Sequence, residues 1–345
     1  MLRKKIPAYL FILSLAFTSV MSYSISAGIH NKRSAATPAT ETDNSVCRYN
    51  LKRLEGYHYI KPLMYAEPEC ESYSLNAVKK SISDIITAYL DSGNITSASA
   101  YFRDFSNGNW TNVGGENKYA PGSLLKIPEM IAFMRMNEKD PNTLNKKITF
   151  THEFNTGKNP VFLSKSIQLG KSYTIRELLK YMISYSDNNA TMLLNENLDL
   201  ETFGKVFTDL GIEKPDWNAG QVSISAKDFS LFMKVLYNAS YLTIPDSEYC
   251  TGLLATSDFT KGMLSGFPAN TRVAHKFGEG GYSNKANLSE SSIVFFEKRA
   301  FLITVMTEGK DMKALPRVIA SISKASYEHM KTLAQQDLLN TTSFQ

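Results

Sequence analysis

Three short motifs carry side chains whose types and spacing suit acyl transfer. Pro121-Gly122-Ser123-Leu124-Leu125-Lys126 places a serine just after a Pro-Gly breaker, at the start of an apolar helix, with a lysine one turn later on the same face. The spacing brings amine to hydroxyl. A serine there also sits at the positive end of the helix dipole, where backbone N–H groups can hold a developing oxyanion. The lysine can be its base only where desolvation or a neighbouring cation lowers its pKa from about 10.4 toward the working pH. A second S-x-x-K, Ser321-Ile322-Ser323-Lys324, lies inside an amphipathic stretch without a breaker and reads as chance.

Ser186-Asp187-Asn188 falls where a helical apolar period is lost, before Ala190 to Leu194 resumes it. Read functionally, this is a loop whose Ser186 hydroxyl relays a proton and whose Asn188 amide bonds substrate or lysine. Read structurally, it is a helix end with capping polar residues, which such side chains favour. Lys276-Phe277-Gly278 ends an expected strand before Glu279-Gly280-Gly281. Its lysine is placed to hold a substrate carboxylate, Gly278 to let a ligand backbone approach the strand edge, and the Glu279 N–H to supply a second oxyanion donor. The structural alternative is a lysine closing a strand before a Gly-rich turn.

The elements that must position these residues follow from periodicity. Leu75 to Tyr89 has helical spacing, and Ser97 to Phe105 followed by Asn107-Gly108-Asn109 reads as a strand entering a turn. Thr174-Ile175-Arg176-Glu177 is a capping box that opens a core-facing helix toward Tyr185. Ser225-Ala226-Lys227-Asp228 opens another through Leu236. Arg272 to Phe277, Ser291 to Phe296 and Ala300 to Thr307 read as strands, and Leu315 to Leu333 as a closing helix. Strands at both ends of a helical interior predict an α+β fold. Its antiparallel sheet pairs the first strands with the last, helices flank it, and an all-helical subdomain is inserted between.

In this order and on these elements, Ser-x-x-Lys, Ser-Asp-Asn and Lys-x-Gly form the signature set of penicillin-recognising serine enzymes. From about Leu75 to Leu333 the chain resembles the class A β-lactamase-like serine hydrolases of the β-lactamase and penicillin-binding protein superfamily. The resemblance implies that Ser123 is the acylated nucleophile, Lys126 its base, Ser186 the proton shuttle, Asn188 a contact to the substrate amide and Lys276 the carboxylate anchor. Backbone N–H groups of Ser123 and Glu279 would form the oxyanion hole.

Two departures qualify what is implied. Phe277 stands where the family carries a hydroxyl residue, so it offers a carboxylate no hydrogen bond and its ring would narrow or reshape the cleft. The family's deacylating glutamate, in an E-x-x-L-N segment, is missing: Leu194-Asn195 is the only Leu-Asn pair in that interval, with Thr191 at the glutamate position. The Pro215 to Gly220 stretch leaves little room for the family's long loop. The expectation is an exported serine acyl-enzyme hydrolase acting on β-lactams or D-alanyl peptide-like amides with slow deacylation. Its rival is a catalytically silent cell-envelope binding module of the same fold.

Composition fits an ordinary globular chain: of 345 residues, 43% are apolar and 21% charged, which disfavours disorder and coiled coil. A net charge of +5, scattered along the sequence, is too weak for a nucleic-acid footprint. Arg3, Lys4 and Lys5 precede an uncharged stretch from Ile6 to Ile29, so residues 1–27 read as a signal peptide or membrane anchor and the rest as periplasmic or envelope-associated. Residues 28–74 read as a tether and N-terminal extension, and 75–337 as the hydrolase domain. Cys47 and Cys70 could close a loop and leave Cys250 over, or all three could be free thiols. No metal-ligand spacing occurs among the five histidines, so no metal and no cofactor are expected. A monomer is expected, its partner a small β-lactam or peptidoglycan-like peptide.

Overall fold

The computed structural model describes residues 47–155, 161–162, 164–216, 222–282, 285–296 and 299–342. The expected signal or anchor segment and the tether to Asn44 lie outside these residues. In chain order the elements are β1 (Tyr49–Arg53), β2 (Leu63–Pro68), α1 (Asn76–Asp91), β3 (Ser97–Asp104), β4 (Trp110–Val113), β5 (Lys118–Tyr119) and α2 (Lys126–Lys139). Then come β6 (Lys147–Thr149), β7 (Ser172–Thr174), α3 (Ile175–Ser184), α4 (Asn188–Asn195), α5 (Leu200–Asp209), β8 (Ile224–Ser225), α6 (Ala226–Tyr237) and α7 (Ile244–Leu254). The chain closes with β9 (Arg272–Tyr282), β10 (Lys285–Phe296), β11 (Arg299–Gly309) and α8 (Leu315–Thr342).

The main sheet has the order β4-β3-β11-β10-β9 and every pairing in it is antiparallel. Its first strands therefore pair with its last, as the order of apolar runs requires. The three C-terminal strands are longer than their apolar cores alone suggest, because β9 continues through Gly278-Glu279-Gly280 in register with β10. Backbone pairing carries the strand past residues whose side chains give no strand signal.

Side chains alternate between two cores, as period-two geometry demands. Along β11, Phe301, Ile303 and Val305 join Val78, Ile82 and Ile86 of α1 and Val318 and Ile322 of α8 on one face. Leu302 and Met306 join the interior of α2 to α7 on the other. The capping box at Thr174 forms as read: its hydroxyl accepts from Glu177 N while Glu177 reaches back to Thr174 N. Ser225 caps α6 in the same way, accepting from Asp228 N.

The extension before α1 is a β1–β2 hairpin secured by a buried ionic cluster. Glu67 on β2 accepts from Arg103 of β3 at 2.8 Å, Lys234 of α6 at 2.7 Å and the Tyr101 hydroxyl at 2.7 Å. Cys47 and Cys70 are disulfide-bonded, and Cys250 is a free, buried thiol.

Candidate active site

Ser123 lies on a short 3-10 turn, Gly122–Leu125, that leads directly into α2. Two glycines bring this turn against the end of β9. A Cβ on Gly278 would lie 2.1 Å from the Pro121 carbonyl oxygen and 3.0 Å from Ser123 N; one on Gly122 would lie 2.4 Å from the Glu279 carbonyl oxygen. Gly122 also has a φ of +54°, which glycine adopts without strain. What packs against Gly278 within the chain is the turn that carries Ser123. The close contact sets the N–H of Ser123 beside the strand that carries Glu279.

Lys126 opens α2 and is only 4% exposed. Its Nζ donates to the Ser186 carbonyl at 2.8 Å, to Ser186 Oγ at 3.2 Å and to Asn188 Oδ1 at 2.8 Å. Burial lowers the Lys126 pKa to about 8, against the pull of Glu129, Asp187 and Glu279, which raise it. Pro128 falls in the first turn of α2, where the hydrogen bond it forgoes costs little.

The junction between α3 and α4 holds the second motif. Ser186 adopts a φ of +54°, an unusual conformation for a residue with a Cβ, and presents both its carbonyl and its hydroxyl to Lys126. Asp187 caps α4 by accepting from Asn189 N, and it also accepts from Ser166 Oγ at 2.8 Å and Ile167 N at 2.9 Å. The aspartate thus braces the junction as a helix cap, while the serine and asparagine turn to the lysine.

Lys276 on β9 is fully buried and donates to Ser186 Oγ at 2.8 Å and to the Phe277 carbonyl at 2.9 Å. Burial and the neighbouring Lys126 hold its amine well below the usual lysine range. Two amines thus converge on one hydroxyl, whose oxygen accepts both and whose proton is left to be donated elsewhere.

These residues surround an open cleft of about 1040 Å³, lined by Ser123, Lys126, Ser186, Asn188 and Glu279 among others. Phe277 lines it too, its ring stacked on Phe259 with centroids 4.0 Å apart and edge-on to Phe162 at 5.9 Å. Thr191 also reaches the lining, but its hydroxyl is used on the Asp187 carbonyl. Ser321, of the second S-x-x-K, lies on α8 against the Tyr89 hydroxyl and takes no part in the cleft.

One residue of the cleft escaped the motif reading. Glu129, one turn beyond Lys126 on α2, lines the cleft while 8% exposed, and its Oε2 has no hydrogen-bond partner among the described residues. Burial raises its pKa to about 7, opposed by Lys126. The sequence held a signal for it: a lone carboxylate in the otherwise apolar run Ile127 to Met134. Among the described residues, no group of histidine, cysteine, aspartate and glutamate side chains could hold a metal ion.

A family model described as "Beta-lactamase enzyme family" matches residues 77–330. The fold is similar to that of PBP-A, with 18% identity, a TM-score of 0.61, and coverage of 75% of this chain and 97% of that one. It is likewise similar to a β-lactamase from Chitinophaga pinensis DSM 2588 (19% identity, TM-score 0.62, 73% and 98% covered). A class A β-lactamase from Mycobacterium abscessus is a third neighbour (18% identity, TM-score 0.61, 72% and 99% covered). No curated protein matches the chain.

Proposed function

We propose that this chain, which belongs to the beta-lactamase enzyme family, is a serine hydrolase that works through an acyl-enzyme on Ser123, with a β-lactam or a D-alanyl peptide-like amide as acyl donor. The observation that carries the reading is the convergence of Lys126 and Lys276 on Ser186 Oγ beside the Ser123 turn. In acylation the neutral Lys126 amine takes the Ser123 Oγ proton as Oγ bonds to the substrate carbonyl carbon. The backbone N–H groups of Ser123 and Glu279 hold the resulting oxyanion. The proton passes through Ser186 Oγ to the leaving nitrogen as the C–N bond breaks, while Asn188 positions Lys126 and the substrate amide. Attack of water on the ester then releases the acid and restores Ser123.

A structure of a PBP-A mutant is described as an acyl-enzyme complex with penicillin G, which supports a covalent intermediate on this fold. Slow deacylation belongs to the proposal, because Thr191 brings only an engaged hydroxyl to the cleft. Export by residues 1–27, a periplasmic or envelope location, a monomeric state and a catalytic domain spanning 75–337 complete it. The envelope-binding alternative draws on the aromatic wall at Phe277.

An intact-mass time course with a penicillin, followed by washout, tests the reading. An adduct on Ser123 that outlasts washout and is absent from Ser123→Ala is the expected result. Labelling that persists in Ser123→Ala would sink the nucleophile assignment, rapid release of hydrolysed penicillin would remove slow deacylation, and no adduct would favour the binding module.

A further inference from the structure

The charges around the end of β9 are arranged against an anionic ligand. Lys276, the cation of the third motif, is fully buried, is spent on Ser186 Oγ and the Phe277 carbonyl, and does not line the cleft. Lys126 meets three acceptors with its three protons. What lines the cleft there is Phe277, its ring edge-on to Phe162, with Phe162 and Val161 completing an apolar wall.

Next to that wall stands the Glu279 carboxylate, fixed by the Val161 N–H at 3.1 Å and itself pushed up by burial. Among the described residues, the remaining cations of the lining are Lys165 and Lys310, both exposed, with Lys165 drawn over the Tyr185 ring at 5.2 Å. A carboxylate set against Phe277 and Glu279 would lose water, find no donor, and meet a like charge.

We propose that the cleft selects acyl donors whose group beside the β9 end is uncharged and apolar, and disfavours those that carry a carboxylate there. The proposal rests on the acyl-enzyme reading and narrows it, from β-lactams and peptide-like amides in general to neutral esters or amides of that kind. Phe277 supplies the apolar contact and Glu279 the charge discrimination.

Benzylpenicillin and its methyl ester share one strained amide and differ in that carboxylate. Their acylation rates on the full-length chain, followed by intact mass at pH 8, where Lys126 is partly neutral, therefore isolate the charge. The methyl ester is expected to react about tenfold faster, the scale of one like charge in a half-desolvated site. In Glu279→Gln the ratio should narrow by roughly threefold or more as the repulsion is removed. A free acid that matches or outpaces its ester in the wild-type chain overturns the proposal and leaves the acyl-enzyme reading standing. An adduct with neither compound defeats that reading and the proposal with it. The wild-type ratio decides the matter even where Glu279→Gln does not fold.

Discussion

Lys126 and Glu129 share one buried corner of the cleft, and in the proposed mechanism their protonation sets when Ser123 can be activated. With Lys126 as the proposed base, acylation needs the neutral amine, so its rate should rise with pH through about 8, where Lys126 titrates. The Glu129 carboxylate raises the lysine's pKa, so Glu129→Gln should shift that limb of the acylation profile to lower pH; a limb that stays put would remove Glu129 from the proton balance. Stability carries a second signature of the same residue. The folded pKa of Glu129, about 7, lies above its ordinary value, so its contribution is full below about pH 4.5 and is lost as pH rises through 7. Glu129→Gln should therefore match the parent at pH 4 and exceed it at pH 8 by roughly 3 kcal/mol, measured by urea unfolding.

The junction from α3 to α4 turns two ordinary helices into part of a site. Helix α3 ends at Ser184, Asp187 caps α4, and the reversal between them forces Ser186 into the left-handed region. Strain of that kind costs about 1 kcal/mol or more for a residue with a Cβ, and glycine relieves it. Ser186→Gly is therefore expected to hold or raise the melting temperature while lowering acylation by about 100-fold, because both lysines lose their shared hydroxyl. A parallel loss of stability and activity would mean that the hydroxyl acts only as a structural tie. The capping box at Thr174 and the serine N-cap at Ser225 explain why these helices start where they do, and both were legible because a cap depends on residues three apart.

At the scale of the molecule, the hairpin β1–β2 packs Met64 and Tyr65 into the core and adds one buried carboxylate, Glu67, that is paired with the rest of the fold. Glu67 is taken from water, which would raise its pKa, but Lys234 and Arg103 overcome this and hold it below the ordinary carboxylate range. Burial lowers Lys234 to about 8, so at neutral pH the amine and the carboxylate are both charged. Glu67→Gln leaves two buried cations without a counter-charge and should cost about 3–5 kcal/mol in denaturant unfolding. A loss under about 1 kcal/mol would show that the hairpin is held by packing alone. Because Glu67 is depressed, its contribution is present above about pH 4.5 and fades as pH falls through its folded value.

The sequence alone determined the main helices and the strands β3, β9, β10 and β11, the pairing of first strands with last, and the three motifs. Each of those depends on a local period or a short spacing, such as Val78, Ile82 and Ile86 for a buried helix face or Thr174 and Glu177 for its cap. Tertiary structure decided which groups meet. That Lys276 is spent on Ser186, that Gly278 makes room for the Ser123 turn, and that Glu67 finds Arg103 and Lys234 are contacts between residues far apart in the chain. Glu129 lay in plain view of the sequence as a lone carboxylate in an apolar run. Only the packing of α2 against the cleft made it a buried, titrating neighbour of Lys126, because burial and the charges around a group are properties of the folded surroundings and not of the spacing.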